Sequence, residues 1–302
     1  MIDAFGTWLE TAAPWQVGLA LLIAMFLAST LGEWLNGVAA RAKKAKRAGD
    51  DDDGGDTYIV SATLGLLALL MGFTFSLAVD RFEARRQLVV QEANAIGTTY
   101  LRTQMLEPVD RARISKMLVD YTDNRIILAK ANIKDVPPLL AKNDQMLTDL
   151  WTATRAAWPS IKGLDFSSAY LDSMNNLIDL DAARKAARLA RVPSAVFFVL
   201  FIYVITSAGV LGFAGANKTE GRGATAFLYI LLVISLLLTL DIDRPRSGRV
   251  TESQAPMERL RDSLAKQPPA VFDRLSSEEA SLAPDTPLPA AVPKLETATP
   301  VR

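Results

Sequence analysis

The 302-residue chain contains no cysteine and no histidine. The first absence excludes disulfides, thiolate nucleophiles and iron–sulfur ligation. The second removes imidazole general bases and the commonest haem ligand, and the two together remove the usual zinc donors. Catalysis would fall to carboxylates, Lys, Ser or Tyr, so no catalytic residue, metal ligand or cofactor is expected. An excess of charge is missing too: 33 Lys and Arg stand against 33 Asp and Glu, a balance that offers no bulk field to a nucleic acid. No basic residue precedes Arg41, so the first apolar run lacks the basic start of a secretory signal and reads as a retained membrane span.

What the chain does have is apolar length. Four runs, Trp15 to Leu35, Tyr58 to Val79, Pro193 to Ala214 and Ala224 to Leu240, are each about long enough to cross a hydrocarbon core of roughly 30 Å as a helix. Trp15 and Trp34 bracket the first run at the separation that an aromatic belt at each interface predicts. The pattern predicts an all-α, four-span membrane protein whose first obligate partner is the lipid bilayer. Residues 1–57 hold the first span and a charged loop, and 58–80 hold the second span. Residues 81–192 form a soluble helical bundle, and 193–243 the third and fourth spans. A juxtamembrane segment follows at 244–266, then a Pro-, Ala- and Ser-rich tail at 267–302 whose composition predicts disorder. The loop RAKKAKRAGDDDDGGD reads as a solvated linker, because four consecutive aspartates without spaced oxygen partners match a calcium loop poorly.

Within the bundle, Pro108, Pro137-Pro138 and the stretch Trp158-Pro159-Ser160 to Gly163 punctuate three or four helices. Ile114, Met117, Leu118 and Tyr121, and later Leu171, Met174 and Leu177, recur at helical spacing. Trp151 and Trp158, seven residues apart, are expected to pack in the core. An even number of spans puts both termini on one side of the membrane. Ten basic residues near span ends on that side, against seven on the other, favour cytoplasmic termini.

The second span carries two stripes when each residue advances about 100°. Ser61, Gly65, Ala68, Gly72 and Ser76 form a stripe of small residues suited to close helix packing in lipid. Leu66, Leu69, Phe73 and Leu77 form an apolar stripe in the direction of Asp80. They read either as a lipid-facing or packed surface, or as a pore-lining constriction repeated around an oligomer axis with Asp80 at its mouth. Beyond Asp80, Arg81, Arg85 and Glu92 share one line while Glu83 and Arg86 share another. A solvated or subunit-pairing face accounts for both as well as a site does. The second and fourth spans end at the same membrane face, so Asp80, Arg81, Arg85, Asp241, Asp243, Arg244 and Arg246 are expected to form a juxtamembrane charge network.

The run GLLALLMGFTFSLAVDRFEARRQLVVQEANAIGTTYLR, followed in order by two late spans and the ending LDIDRPRSGRV, resembles the bacterial bestrophin-like family over roughly residues 55 to 265. That family is named for its likeness to bestrophins, pentameric anion channels with four spans per subunit, cytoplasmic termini and a helical region between the second and third spans. The resemblance implies a homo-oligomer in the bacterial inner membrane that passes small ions, with Leu69, Phe73 and Leu77 at the four-residue steps of a bestrophin neck. Two departures stand out. No acidic run follows the fourth span to act as a calcium clasp, and an acidic mouth at Asp80 would repel anions unless Arg81 and Arg85 offset it. A non-conducting sensor or scaffold, with the 81–192 bundle binding a ligand or partner, is the competing reading. A membrane enzyme holding a metal on Asp80, Asp241 and Asp243 is the third.

Overall fold

A computed structural model describes residues 1–45, 53–216, 222–245, 248 and 250–273, and among these all regular structure is helical. The expected tail from 274 onward, Arg246, and the middle of the basic and acidic linker at 46–52 lie outside the described residues. An amphipathic helix, α1 (Ile2–Thr11), precedes the first span. The spans follow as α2 (Pro14–Ala45), the first half of α3 (Asp53–Thr103), α7 (Ser194–Gly215) and α8 (Arg222–Asp243). All four are long and apolar enough to cross a membrane. The bundle consists of the second half of α3 with α4 (Pro108–Lys130), α5 (Val136–Ile161) and α6 (Ser167–Leu189), and α9 (Ala255–Lys266) docks against α3 and α4.

The prolines act where their missing N–H is harmless: Pro108 opens α4 and Pro137-Pro138 open α5. Pro159 instead sits inside the final turn of α5. The break comes at Gly163, whose φ of 91° suits the left-handed region that glycine enters without strain. The inward face of α5 is Leu150, Ala153, Ala157 and Ile161, which turns Trp151 outward to 41 % exposure, contrary to the expectation of a core position. Trp158 does pack on the core, only partly buried.

Two cores follow from the two solvents. One, in the membrane half, gathers Val17, Leu21, Met25, Leu67, Met71, Phe197, Leu200, Val204, Val233 and Leu236 from all four spans. The other joins Val89, Ile96, Tyr100, Ile114, Leu118, Tyr121, Leu150, Met174, Leu177 and Met257 inside the bundle. Because α3 runs unbroken through both, it is the mechanical link between them, about 75 Å long at 1.5 Å per residue.

The close helix approach expected of the small stripe on span 2 occurs elsewhere within the chain. A Cβ placed on Gly32 would lie 2.1 Å from the Gly209 carbonyl oxygen, and one on Gly212 would lie 2.1 Å from that of Ser29. Spans α2 and α7 therefore meet backbone to backbone, which only glycine permits. Ser61, Gly65, Ala68, Gly72 and Ser76 are all exposed, with nothing within 4 Å of a Cβ on Gly65 or Gly72.

Past α9 the chain stays structured for longer than composition suggests. The Tyr100 hydroxyl donates to the Gln267 carbonyl at 2.8 Å, and Pro269–Asp273 form a 3-10 turn tied by Arg111 to Asp273.

Candidate functional site

The side of α3 that packs on its own chain carries Leu67, Met71, Thr74 and Ala78, then Arg85, Val89, Glu92 and Ile96. The opposite side is bare. Leu66, Leu69, Phe73 and Leu77 are 48 %, 53 %, 66 % and 36 % exposed, and Asp80 continues them, also exposed. Only 17 % of the most apolar stretch of span 2 is buried within the chain, against 33 %, 39 % and 28 % for the first, third and fourth spans. The five residues expected to line a pore thus share one open face, and the small stripe lies beside them on the same open side.

Of the residues expected in the charge network, Arg85, Asp241, Asp243 and Arg244 meet partners at the ends of the spans, whereas Asp80 has none among the described residues. Arg85 is the centre of the group. Its Nη2 donates to the Ile242 carbonyl at 2.9 Å and its Nε pairs with Glu252 at 2.5 Å, both side chains being almost fully buried. That contact ties the foot of span 2 to the end of span 4, as the sequence suggests, but through a carboxylate the sequence reading missed. Asp243 accepts from the Val192 N–H at 2.9 Å, joining the end of span 4 to the start of span 3. Asp241 accepts from the Val250 N–H at 3.1 Å and stabilises the turn that leaves the membrane. Buried Arg244 donates to the carbonyls of Leu9 and Ala12, so a guanidinium caps the C-terminal end of α1, where the helix dipole leaves negative charge. Arg81 lies half-buried beside this group.

Among the described residues no three carboxylates gather as a cation site. Asp241 and Asp243 face backbone N–H groups while Asp80 faces away, so the arrangement needed for a metal enzyme on these three is not formed.

A second polar assembly was invisible to sequence reading. Glu92 and Arg85, which the sequence allows on a solvated or subunit-pairing face or in a site, point inward at 0 % and 3 % exposure. Glu92 meets Arg125 at 2.8 Å and Arg184, and accepts from the Tyr121 hydroxyl at 2.7 Å. Arg125 also reaches Asp181 at 3.0 Å, which in turn accepts from Asn143 at 2.9 Å and pairs with Lys185 at 2.5 Å. Burial opposes the Glu92 charge, but Arg125 and Arg184 outweigh it and hold the carboxyl below the usual range. Burial, with the Glu92 charge added, pushes the Tyr121 phenol well up and keeps it a neutral donor. One residue or more from each of α3, α4, α5 and α6 enters this network, which fixes the bundle around the foot of span 2. The only hint in the sequence was Glu92 on the Arg85 side of α3, which periodicity alone cannot distinguish from a wet face.

The Bestrophin-like domain family model matches residues 19–257. The fold is similar to a crystal structure of a bacterial Bestrophin homolog from Klebsiella pneumoniae, at 15 % identity and a TM-score of 0.57 over 81 % of this chain and 97 % of that one. Two single-substitution variants of that homolog match at 16 % and 15 % identity, with TM-scores of 0.58 and 0.59, each over 82 % of this chain and 98 % of the other. No curated protein matches in sequence.

Proposed function

This chain belongs to the Bestrophin-like domain family, and on that premise we propose that it assembles as a homo-oligomer in the bacterial inner membrane, with cytoplasmic termini, and passes small ions along an axis lined by span 2. The observation that carries the reading is the bareness of one helix. Span 2 has the least buried apolar stretch of the four, and its Leu66, Leu69, Phe73 and Leu77 line the open side. Lipid alone could cover that face, but the same face continues straight into water along α3, where no lipid reaches. A second copy packed around a common axis covers the flanks of the helix and leaves the line itself facing a lumen. There, apolar rings narrow enough to shed water act as a gate.

The reading assigns no chemistry to the protein. Its residues position helices and shape a passage, and ions move down their own gradient. Purified protein in planar bilayers is expected to conduct, and Phe73→Ala, which removes the most exposed and bulkiest member of the line, is expected to raise the open fraction. Absence of conductance over a wide range of salts and voltages overturns the reading. It would favour the non-conducting sensor, whose natural ligand position is the open groove of about 450 Å³ between α3 and α6, lined by Gln91, Asn94, Thr98, Asp172 and Asn176.

A further inference from the structure

We propose that the permeant ions are cations and that Asp80 sets the preference. The inference rests on the reading above, that the open line of α3 faces the axis. Followed beyond the membrane, that line does not stop. Asp80, Ala84, Gln87, Gln91, Asn94 and Thr98 succeed one another at steps of four and three residues, all within about 40° of the Asp80 direction at 100° per residue, and all are exposed. The apolar neck of Leu66, Leu69, Phe73 and Leu77 therefore opens onto a wall of carboxamides and a hydroxyl. These groups offer oxygen and N–H alike and favour neither sign of ion.

Among the described residues, every basic residue of α3 near the mouth is turned away or held. Arg85 is buried against Glu252 and the Ile242 carbonyl. Arg86 points about 120° from the line and is bound by both oxygens of Glu83 at 2.8 Å. Arg81, about 100° away, is half-buried toward the end of span 4, where its charge acts on Asp243. Arg102, one turn past Thr98, donates to the Ala169 carbonyl. Glu83 lies at the edge of the line, neutralised by Arg86 and Gln87. The Asp80 carboxylate is thus the only unpaired formal charge on the line from Leu66 to Thr98. It has no hydrogen-bond or ion-pair partner among the described residues.

One unpaired carboxylate per subunit, repeated around an axis at the end of a low-dielectric neck, makes a ring whose field is focused into the passage rather than screened by water. Such focusing raises the local concentration of the opposite charge roughly 10- to 1,000-fold. The ring enriches cations at the entrance of the neck and depletes anions there, and the neutral wall below does nothing to reverse it. Screening follows the Debye length, so the preference falls as salt is raised.

The test is the reversal potential of the purified oligomer in planar bilayers under a KCl gradient, for the wild type, Asp80→Asn and Asp80→Lys. The wild type is expected to reverse near the potassium equilibrium potential, with a cation-to-anion permeability ratio of about tenfold or more. Asp80→Asn brings the ratio close to one and Asp80→Lys inverts it, at unchanged elution volume, since no hydrogen bond or ion pair among the described residues depends on the side chain. A conducting wild type that reverses toward chloride, or a preference that Asp80→Asn leaves intact, overturns the assignment of Asp80 while leaving the axial passage standing. A wild type that does not conduct removes the passage and this assignment with it.

Discussion

Two glycine positions on the membrane helices look alike in sequence and differ completely in what surrounds them. Gly212 lies against the Ser29 carbonyl, so a methyl group there must push α7 away from α2, whereas Gly72 has open space around it. Overpacking of this kind costs about 1–3 kcal/mol. Gly212→Ala is therefore expected to lower the thermal midpoint in detergent by several degrees. Gly72→Leu is expected to leave the protomer midpoint unchanged and to reduce the mass of the detergent complex measured by light scattering, because the small stripe then meets a second copy less closely. Equal melting losses at both positions would contradict the packing described here. Trp151 teaches the same lesson in the soluble half: its seven-residue spacing from Trp158 is real, but a spacing does not say which side of the helix faces inward, and Leu150 with Ala153 decided that.

At the scale of elements, the bundle is held by a buried polar core as well as an apolar one. Removing one partner of a buried ion network leaves the others desolvated and unpaired, at roughly 3–5 kcal/mol. Glu92→Gln, which keeps the shape and loses the charge facing Arg125 and Arg184, is expected to destabilise the bundle by about that amount, read as a lowered midpoint of urea unfolding followed by far-ultraviolet circular dichroism. The pH dependence has a definite sign. The Glu92 carboxyl is held below its ordinary value in the folded protein, so its stabilisation is fully present above the unfolded carboxyl value of about 4.3. It is lost as pH falls through the lower folded value. The wild type should lose stability steeply below about pH 4.3, and Glu92→Gln should flatten that loss; parallel acid profiles for the two proteins would show that Glu92 does not carry it. Helix boundaries were legible because Pro108 and Pro137 announce themselves as helix starts. The short α1 was not, because the thirteen residues before Pro14 carry too little pattern; Phe5 against Phe198 and Phe201 is what seats it on span 3.

At the scale of the molecule, both described ends lie with the bundle on one side of the four spans: α1 is capped by Arg244 at the foot of span 4, and α9 packs on the bundle. With cytoplasmic termini the bundle is cytoplasmic too. A reporter inserted near Leu140, in the exposed first turns of α5, is expected to be active in the cytoplasm and silent in the periplasm. The reverse would favour the ligand sensor. Images of the detergent-solubilised particle are expected to show rotational symmetry about an axial opening next to span 2.

The sequence by itself determined which segments suit a bilayer: four apolar runs are long enough for one, the charged stretches are not, and the composition of α3 changes at Asp80. These properties are additive along the chain, so composition and period suffice to read them. The direction each side chain faces was decided only by the tertiary structure. Periodicity placed Arg85 and Glu92 together on one line of the helix, yet an ion-bearing line is wet unless other elements bring counter-charges to it. Glu252, Arg125 and Arg184, between 33 and 167 residues away in the chain, do so here. The same packing that buries those charges leaves Asp80, five residues before Arg85, without a hydrogen-bond or ion-pair partner among the described residues.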